Sequence, residues 1–185
     1  MIISTGMATE EEIAETVEAA RSAGCEHLVL LKCTSTYPST PENTNLATIP
    51  AMRERFDCHV GLSDHSMGIG VSVASVALGA VAIEKHFTLS RADGGVDSAF
   101  SMEPHEMAAL VVETWRAWQA MGSVSYGPTD AEKRSLQFRR SLYVAEDMRA
   151  GDAFTSGNLR VVRPGFGLPP KHYDELIGRR ITRDA

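Results

Sequence analysis

The chain has 185 residues, of which 43% are hydrophobic and 23% charged, with 18 basic against 24 acidic side chains and a net charge of −6. These are ordinary values for a globular protein of one domain with room for a small second one. The acidic balance argues against nucleic acid or an anionic membrane surface as the main partner, and no apolar run approaches the ~18–20 residues of a membrane span. The opening MIISTGMATEEE lacks the basic segment and long apolar core of a signal peptide, so a cytoplasmic location is expected. Cys25, Cys33 and Cys58 are an odd set without C-x-x-C spacing and are expected to be reduced and to lie beside strands.

In chain order, Ile2–Ser4 reads as a first strand, and Thr9 with Glu12 has capping-box spacing for a helix that follows. Ile13, Val17 and Ala20 recur on one face of that helix, and Gly24 suits its stop. His27–Lys32 is a near-continuous apolar run of the kind a parallel sheet buries on both faces. A polar loop to Asn45 and a short helix around Ile49–Phe56 come next. The third strand, Cys58–Leu62, ends in Ser63-Asp64-His65, and a small-residue helix of about Val71–Leu78 follows. The fourth strand, Ala80–Glu84, ends in Lys85-His86-Phe87. After a Gly, Asp and Ser-rich loop, Pro104 suits the first position of a helix running to about Met121.

Alternating strand and helix patterns with apolar strands mean a parallel sheet covered by helices. The expected organisation is four βα units over 1–121, a polar linker over 122–137, and a small β-rich domain over 138–185 with strands near Arg140–Val144 and Leu159–Arg163. A closed (β/α)8 barrel takes about 250 residues, so four units leave two architectures open: an open α/β sheet or the C-terminal half of a barrel.

The unusual polar residues fall where strands end, the ligand end of parallel α/β folds. His65 and His86 directly follow consecutive strands, so both imidazoles can point into one site. Imidazole suits a divalent first-row metal, with water or substrate filling the other positions, and Asp64, Glu84 and Asp97 lie nearby in sequence. The competing reading is a pair of packed or capping histidines. Ser4-Thr-Gly-Met7, Lys32–Tyr37 and Ser63 bring hydroxyls and a cation to the same end, which is what a phosphate needs and also what ordinary turns contain. Trp115 and Trp118 are expected in the core or at an interface. No P-loop, dinucleotide fingerprint or nucleophile elbow occurs.

Taken in order, Ser4-Thr-Gly-Met7, Cys33-Thr-Ser-Thr-Tyr-Pro38, Gly61-Leu-Ser-Asp-His65, Glu84-Lys-His-Phe-Thr-Leu89 and Ser101-Met-Glu-Pro104 resemble the block motifs of the sialic acid synthase family. The Gly94–Ser101 loop is most similar to the pseudaminic branch, with the neuraminate and legionaminate branches as alternatives. Arg140-Ser-Leu-Tyr143 and Val162–Gly167 resemble that family's C-terminal antifreeze-like (SAF) domain, expected here in truncated form.

The resemblance implies the C-terminal half of a TIM barrel plus the SAF domain, and a condensation of phosphoenolpyruvate with an acetamido-sugar aldehyde to a nonulosonic acid and phosphate. By the same matching, His65 and His86 hold Mn²⁺, with Mg²⁺ or Co²⁺ as alternatives, and Asp97 lies at the catalytic end. Ser4, Ser35 and Ser63 match phosphoenolpyruvate positions, Ser35 departing from an Asn of the sialic branch. Tyr37 matches a sugar position. Arg163 matches an arginine that reaches the other protomer's site in a swapped homodimer. The family's upstream strands, with the lysines that grip phosphoenolpyruvate, have no counterpart in the chain. A fragment is therefore expected, and two other readings stand beside it: a non-catalytic sugar- or phosphate-binding remnant, and an unrelated open α/β metal enzyme.

Overall fold

A computed structural model describes residues 1–185 and divides them into two compact units, Met1–Ser123 and Val124–Ala185. The first unit alternates β1 (Ile2–Ser4), α1 (Glu10–Ser22), β2 (Val29–Cys33), α2 (Thr48–Phe56), β3 (His59–Asp64), α3 (Gly70–Ala77), β4 (Ile83–Lys85) and α4 (Pro104–Met121). Its four strands form one parallel sheet in sequence order, the arrangement of half a βα barrel. The capping box at α1 is formed: Thr9 N donates to Glu12 Oε2 at 2.7 Å, and Glu12 N donates to Thr9 Oγ1 at 3.3 Å. Gly24 takes a left-handed φ of +87° just past the helix, where a side chain would be strained.

Each strand separates two environments, because successive side chains point to opposite faces. Leu30, Val60 and Leu62 face the helices and form one buried cluster with Val17, Leu28, Ile49, Met52 and Phe56. The opposite face carries Ser4, Leu31, Cys33, Gly61, Ser63 and Glu84, aligned across the sheet by the register Ser4↔Leu31↔Gly61 and Cys33↔Ser63↔Glu84. Gly61 is required there. A Cβ at that position would stand 2.5 Å from the Ala82 carbonyl oxygen and 2.6 Å from Leu31 Cδ2.

Cys33 is buried in β2, Cys25 and Cys58 are partly buried, and all three are free thiols. The tryptophans correct the expectation of a core position. Trp115 and Trp118 stack on each other at 4.8 Å on α4 and remain more than half exposed, and Leu110 is the buried residue of that helix. Their stacked rings border an open apolar groove that also takes in Val76, Val81, Met107 and Val111.

The second unit pairs β5 (Ser141–Val144) with β6 (Leu159–Val162) as an antiparallel ribbon. A 3-10 turn (Pro170–His172) leads into the short α5 (Tyr173–Leu176). Its buried residues are Ser141, Leu142, Met148 and Leu159. Backbone bonds between its middle and its tail complete it, among them Phe154 N to the Arg179 carbonyl and Gly151 N to the Ile181 carbonyl, both 2.9 Å.

Candidate functional site

The β3–β4 ladder ends with Asp64 opposite Lys85, and His65 and His86 are the next residue on each strand. Alternation places both imidazoles on the face opposite to Asp64 and Lys85. The rings meet edge to face with centroids 5.2 Å apart. His65 is buried, and its Nδ1 lies 2.9 Å from the Thr34 carbonyl oxygen. A carbonyl can only accept, so Nδ1 carries a proton, and in the neutral imidazole Nε2 is then the nitrogen with the bare lone pair. His86, about one-third exposed, turns its Nδ1 toward Asp97 Oδ2 at 3.6 Å.

Tyr37 and Phe100 complete an aromatic rim. The Tyr37 ring lies 4.3 Å from that of His65 and 5.8 Å from that of His86, and Phe100 lies 5.1 Å from His86. Phe100 was not legible from sequence, because it sits in a three-residue 3-10 turn too short to show a periodicity. Its proximity follows from how that loop is tied down. Phe87 bridges to Met102, with Met102 N donating to the His86 carbonyl at 2.8 Å. Arg91 fastens the far side: its N donates to Glu103 Oε1 at 2.8 Å, its Nε to the Ser101 carbonyl at 3.0 Å, and its Nη2 to Glu106. The Ser101 hydroxyl donates to the Asp97 backbone carbonyl at 2.7 Å, which ties down the main chain that carries the carboxylate facing His86.

The hydroxyls expected to serve an anion divide. Ser63 is buried and donates to Glu84 Oε1 at 2.7 Å, so its proton is already engaged with a carboxylate. Ser35, partly buried, lies 3.8 Å from Cys33 Sγ, and Ser4 is exposed at the end of β1. Lys32 does not join them. It is level with Leu62 on the helix-facing side, and its Nζ donates to Thr34 Oγ1 at 2.6 Å. Burial holds that ammonium below the ordinary lysine range.

Asp64 is likewise removed from the candidate ligands. Burial pushes its carboxyl up, but hydrogen bonds from Ser72 and Ser66 and the Lys85 ammonium outweigh this, so the group sits below the ordinary carboxylate range. Arg163 belongs to the second unit and is exposed just past β6.

The donor chemistry fits a divalent ion of low protein coordination. Both histidines turn Nδ1 toward an oxygen, the arrangement that orients a metal-binding imidazole through its other nitrogen. No third His, Cys, Asp or Glu joins them in a cluster able to hold a metal. An ion held here would therefore keep most of its shell for water or substrate oxygens.

The profile of the NeuB family matches residues 1–126, and that of the SAF domain matches residues 139–184. A pseudaminic acid synthase of Campylobacter jejuni is 44% identical over 99% of this chain and 53% of its own length. An N,N'-diacetyllegionaminic acid synthase of the same species is 36% identical over 100% of this chain and 56% of its own. The chain thus spans about half the length of the curated relatives it matches. Among solved structures, an N-acetylneuraminic acid synthetase from Leptospira borgpetersenii superposes with a TM-score of 0.66 at 36% identity, over 75% of this chain and 48% of that one. The Bacillus subtilis spore coat polysaccharide biosynthesis protein SpsE superposes with a TM-score of 0.63 at 31% identity, over 100% of this chain and 57% of that one. A half-barrel with paired histidines at its strand ends, followed by a small antiparallel unit, therefore belongs to the NeuB family and ends in a SAF domain.

Proposed function

We propose that this chain carries the metal- and sugar-facing half of a nonulosonic acid synthase site, of the pseudaminic type. The reaction joins C3 of phosphoenolpyruvate to the aldehyde carbon of a 2,4-diacetamido-2,4,6-trideoxy hexose, adds water at C2, and releases phosphate by C–O cleavage. The observation that carries the reading is the histidine pair inside an aromatic rim, each ring presenting Nε2 while Nδ1 faces an oxygen. The 44% identity to a pseudaminic acid synthase supports the choice of branch.

His65 and His86 would hold the divalent ion, Mn²⁺ in this proposal, which supplies Lewis-acid polarisation of the aldehyde oxygen when bound. The remaining work falls to the chain's own groups. Tyr37 and Phe100 offer flat apolar walls to the carbon face of a sugar, and Asp97 offers a carboxylate to a hydroxyl or amide N–H. Ser4 and Ser35 can donate to phosphate oxygens. Ser63 is positioned to hold Glu84, and a carboxylate there repels an anion, so the phosphate must sit nearer Ser4 and Ser35 than Ser63. Arg163, in the SAF domain, would serve the site of a second protomer in a homodimer. A cytoplasmic location goes with this proposal.

The test is Mn²⁺ titration of the chain, followed by paramagnetic resonance of the free ion. Wild type is expected to bind one equivalent and His65→Ala/His86→Ala none; stoichiometric binding by that double variant would overturn the assignment. Phosphate release from phosphoenolpyruvate in the presence of the diacetamido sugar, compared with N-acetylmannosamine, then separates the pseudaminic branch from the neuraminate one.

A further inference from the structure

His65 and His86 stand beyond the last paired residues of the β3–β4 ladder, so no backbone bond between these two strands joins them. Their carbonyls accept from Ser39 N at 3.0 Å and Met102 N at 2.8 Å, which ties each to a neighbouring loop but does not tie the two strand ends, whose imidazole centroids lie 5.2 Å apart, to each other. The residue before each histidine belongs to a buried ion pair on the other face of the sheet, with Lys85 Nζ 3.1 Å from Asp64 Oδ2 and both side chains almost fully buried.

An ammonium has three N–H donors, and those of Lys85 are all spent around His65. Besides Asp64, Nζ donates to the Ser66 carbonyl at 2.7 Å and to the Gly68 carbonyl at 3.0 Å. Asp64 Oδ1 accepts from Ser66 N at 2.8 Å, and its Oδ2 also accepts from the Ser72 hydroxyl on α3 at 2.6 Å. The residues on both sides of His65 are thus bonded to the side chain that immediately precedes His86.

We propose that Lys85 is the positioning residue of the histidine pair, its ammonium clamping both strand ends at the separation that a shared divalent ion needs. The inference rests on the metal reading above. It explains why a charged pair occupies a site where apolar residues would serve the fold as well. Replacing a buried ion pair by apolar residues of similar volume is often neutral or stabilising, whereas removing one partner leaves an uncompensated charge. Two apolar side chains could fill the space between β4 and α3, but they could not hold the carbonyls of Ser66 and Gly68.

The experiment uses the full chain carrying Asp64→Asn with Lys85→Met, which removes both charges at nearly constant volume. The fold is expected to be retained with a somewhat lower unfolding midpoint, because the Ser66 and Gly68 carbonyls lose their donor. The Mn²⁺ dissociation constant is expected to rise about 10–100-fold, the usual effect of losing an outer support of a metal ligand. Asp64→Asn alone keeps both carbonyl contacts of Lys85, so the loss of affinity is expected near the lower end, about 10-fold, while the uncompensated ammonium lowers the unfolding midpoint. Lys133→Met, which removes an exposed lysine of the second unit, is the control and should leave affinity unchanged.

A second readout needs no metal. In long-range ¹H–¹⁵N spectra the wild-type His65 ring should show a single Nδ1–H tautomer, and the Asp64→Asn/Lys85→Met variant should show averaging between tautomers. A folded variant with wild-type affinity and a fixed His65 tautomer would overturn the clamp. If wild type binds no Mn²⁺ yet the tautomer is lost in the variant, the metal reading fails while Lys85 still positions the rings.

Discussion

The two faces of β3 present opposite solutions in six residues. Toward the helices, Val60 and Leu62 are fully buried among apolar side chains, and Asp64 ends that row in an ion pair. Toward the other face, Gly61, Ser63 and His65 are small or polar and meet a carbonyl, a carboxylate and an aromatic rim. One strand therefore anchors a core and displays chemistry at once, and the period-2 alternation keeps the two roles from interfering. The same division continues into β4, where Ile83 and Lys85 lie level with Leu62 and Asp64, and Glu84 lies level with Ser63.

The comparison can be broken first on its apolar side. Leu62→Ala should cost about 2–5 kcal/mol by leaving a cavity in the helix-facing cluster, read as a lower midpoint in urea unfolding. The crowded point of the other face comes next. Gly61→Ala drives a Cβ into backbone and should destabilise by roughly 1–3 kcal/mol, with the loss appearing in the same unfolding curve. Ser63→Ala probes the polar side more gently. It removes one hydrogen bond to Glu84, and about 1 kcal/mol or less is expected in thermal unfolding.

The smallest effect concerns acid. The Glu106 carboxyl accepts from the Glu103 backbone N–H and from Arg91, which hold it below the ordinary carboxylate range, the backbone bond contributing most. A depressed carboxyl adds stability that is present above its unfolded pKa of about 4.3. That stability is lost as pH falls through the lower folded value. Glu106→Gln should therefore be slightly less stable than wild type at pH 7 and indistinguishable from it well below pH 4, as followed by circular dichroism. An unchanged difference across that range would remove Glu106 from the anchoring of the Asp97 loop.

How much was legible in advance depended on the range of the forces involved. The capping box of α1, the start of α4 at Pro104 and the alternation of four strands with helices are local properties and were read from residue spacing. The pairing of His65 with His86 was also legible, because consecutive parallel strands bring equivalent ends together. The fates of Lys32, Asp64 and Ser63 were not. Each sits at the expected end of its strand, but face and partner decide its use, and those depend on register: Lys32 and Asp64 point to the helix side, and Ser63 is taken by Glu84. Trp115 and Trp118 have the helical spacing of a buried stripe, yet nothing within this unit covers them.

By itself, then, the sequence determined the alternating parallel βα units and set two imidazoles at consecutive strand ends, since hydrophobic patterning and caps are encoded over a few residues, while the half-barrel came from the family resemblance. Only the tertiary structure decided which neighbours support those imidazoles. The Thr34 carbonyl, Phe100 and the Lys85 ammonium come from different loops and strands, and bonds that span 12 to 31 residues leave no local signature.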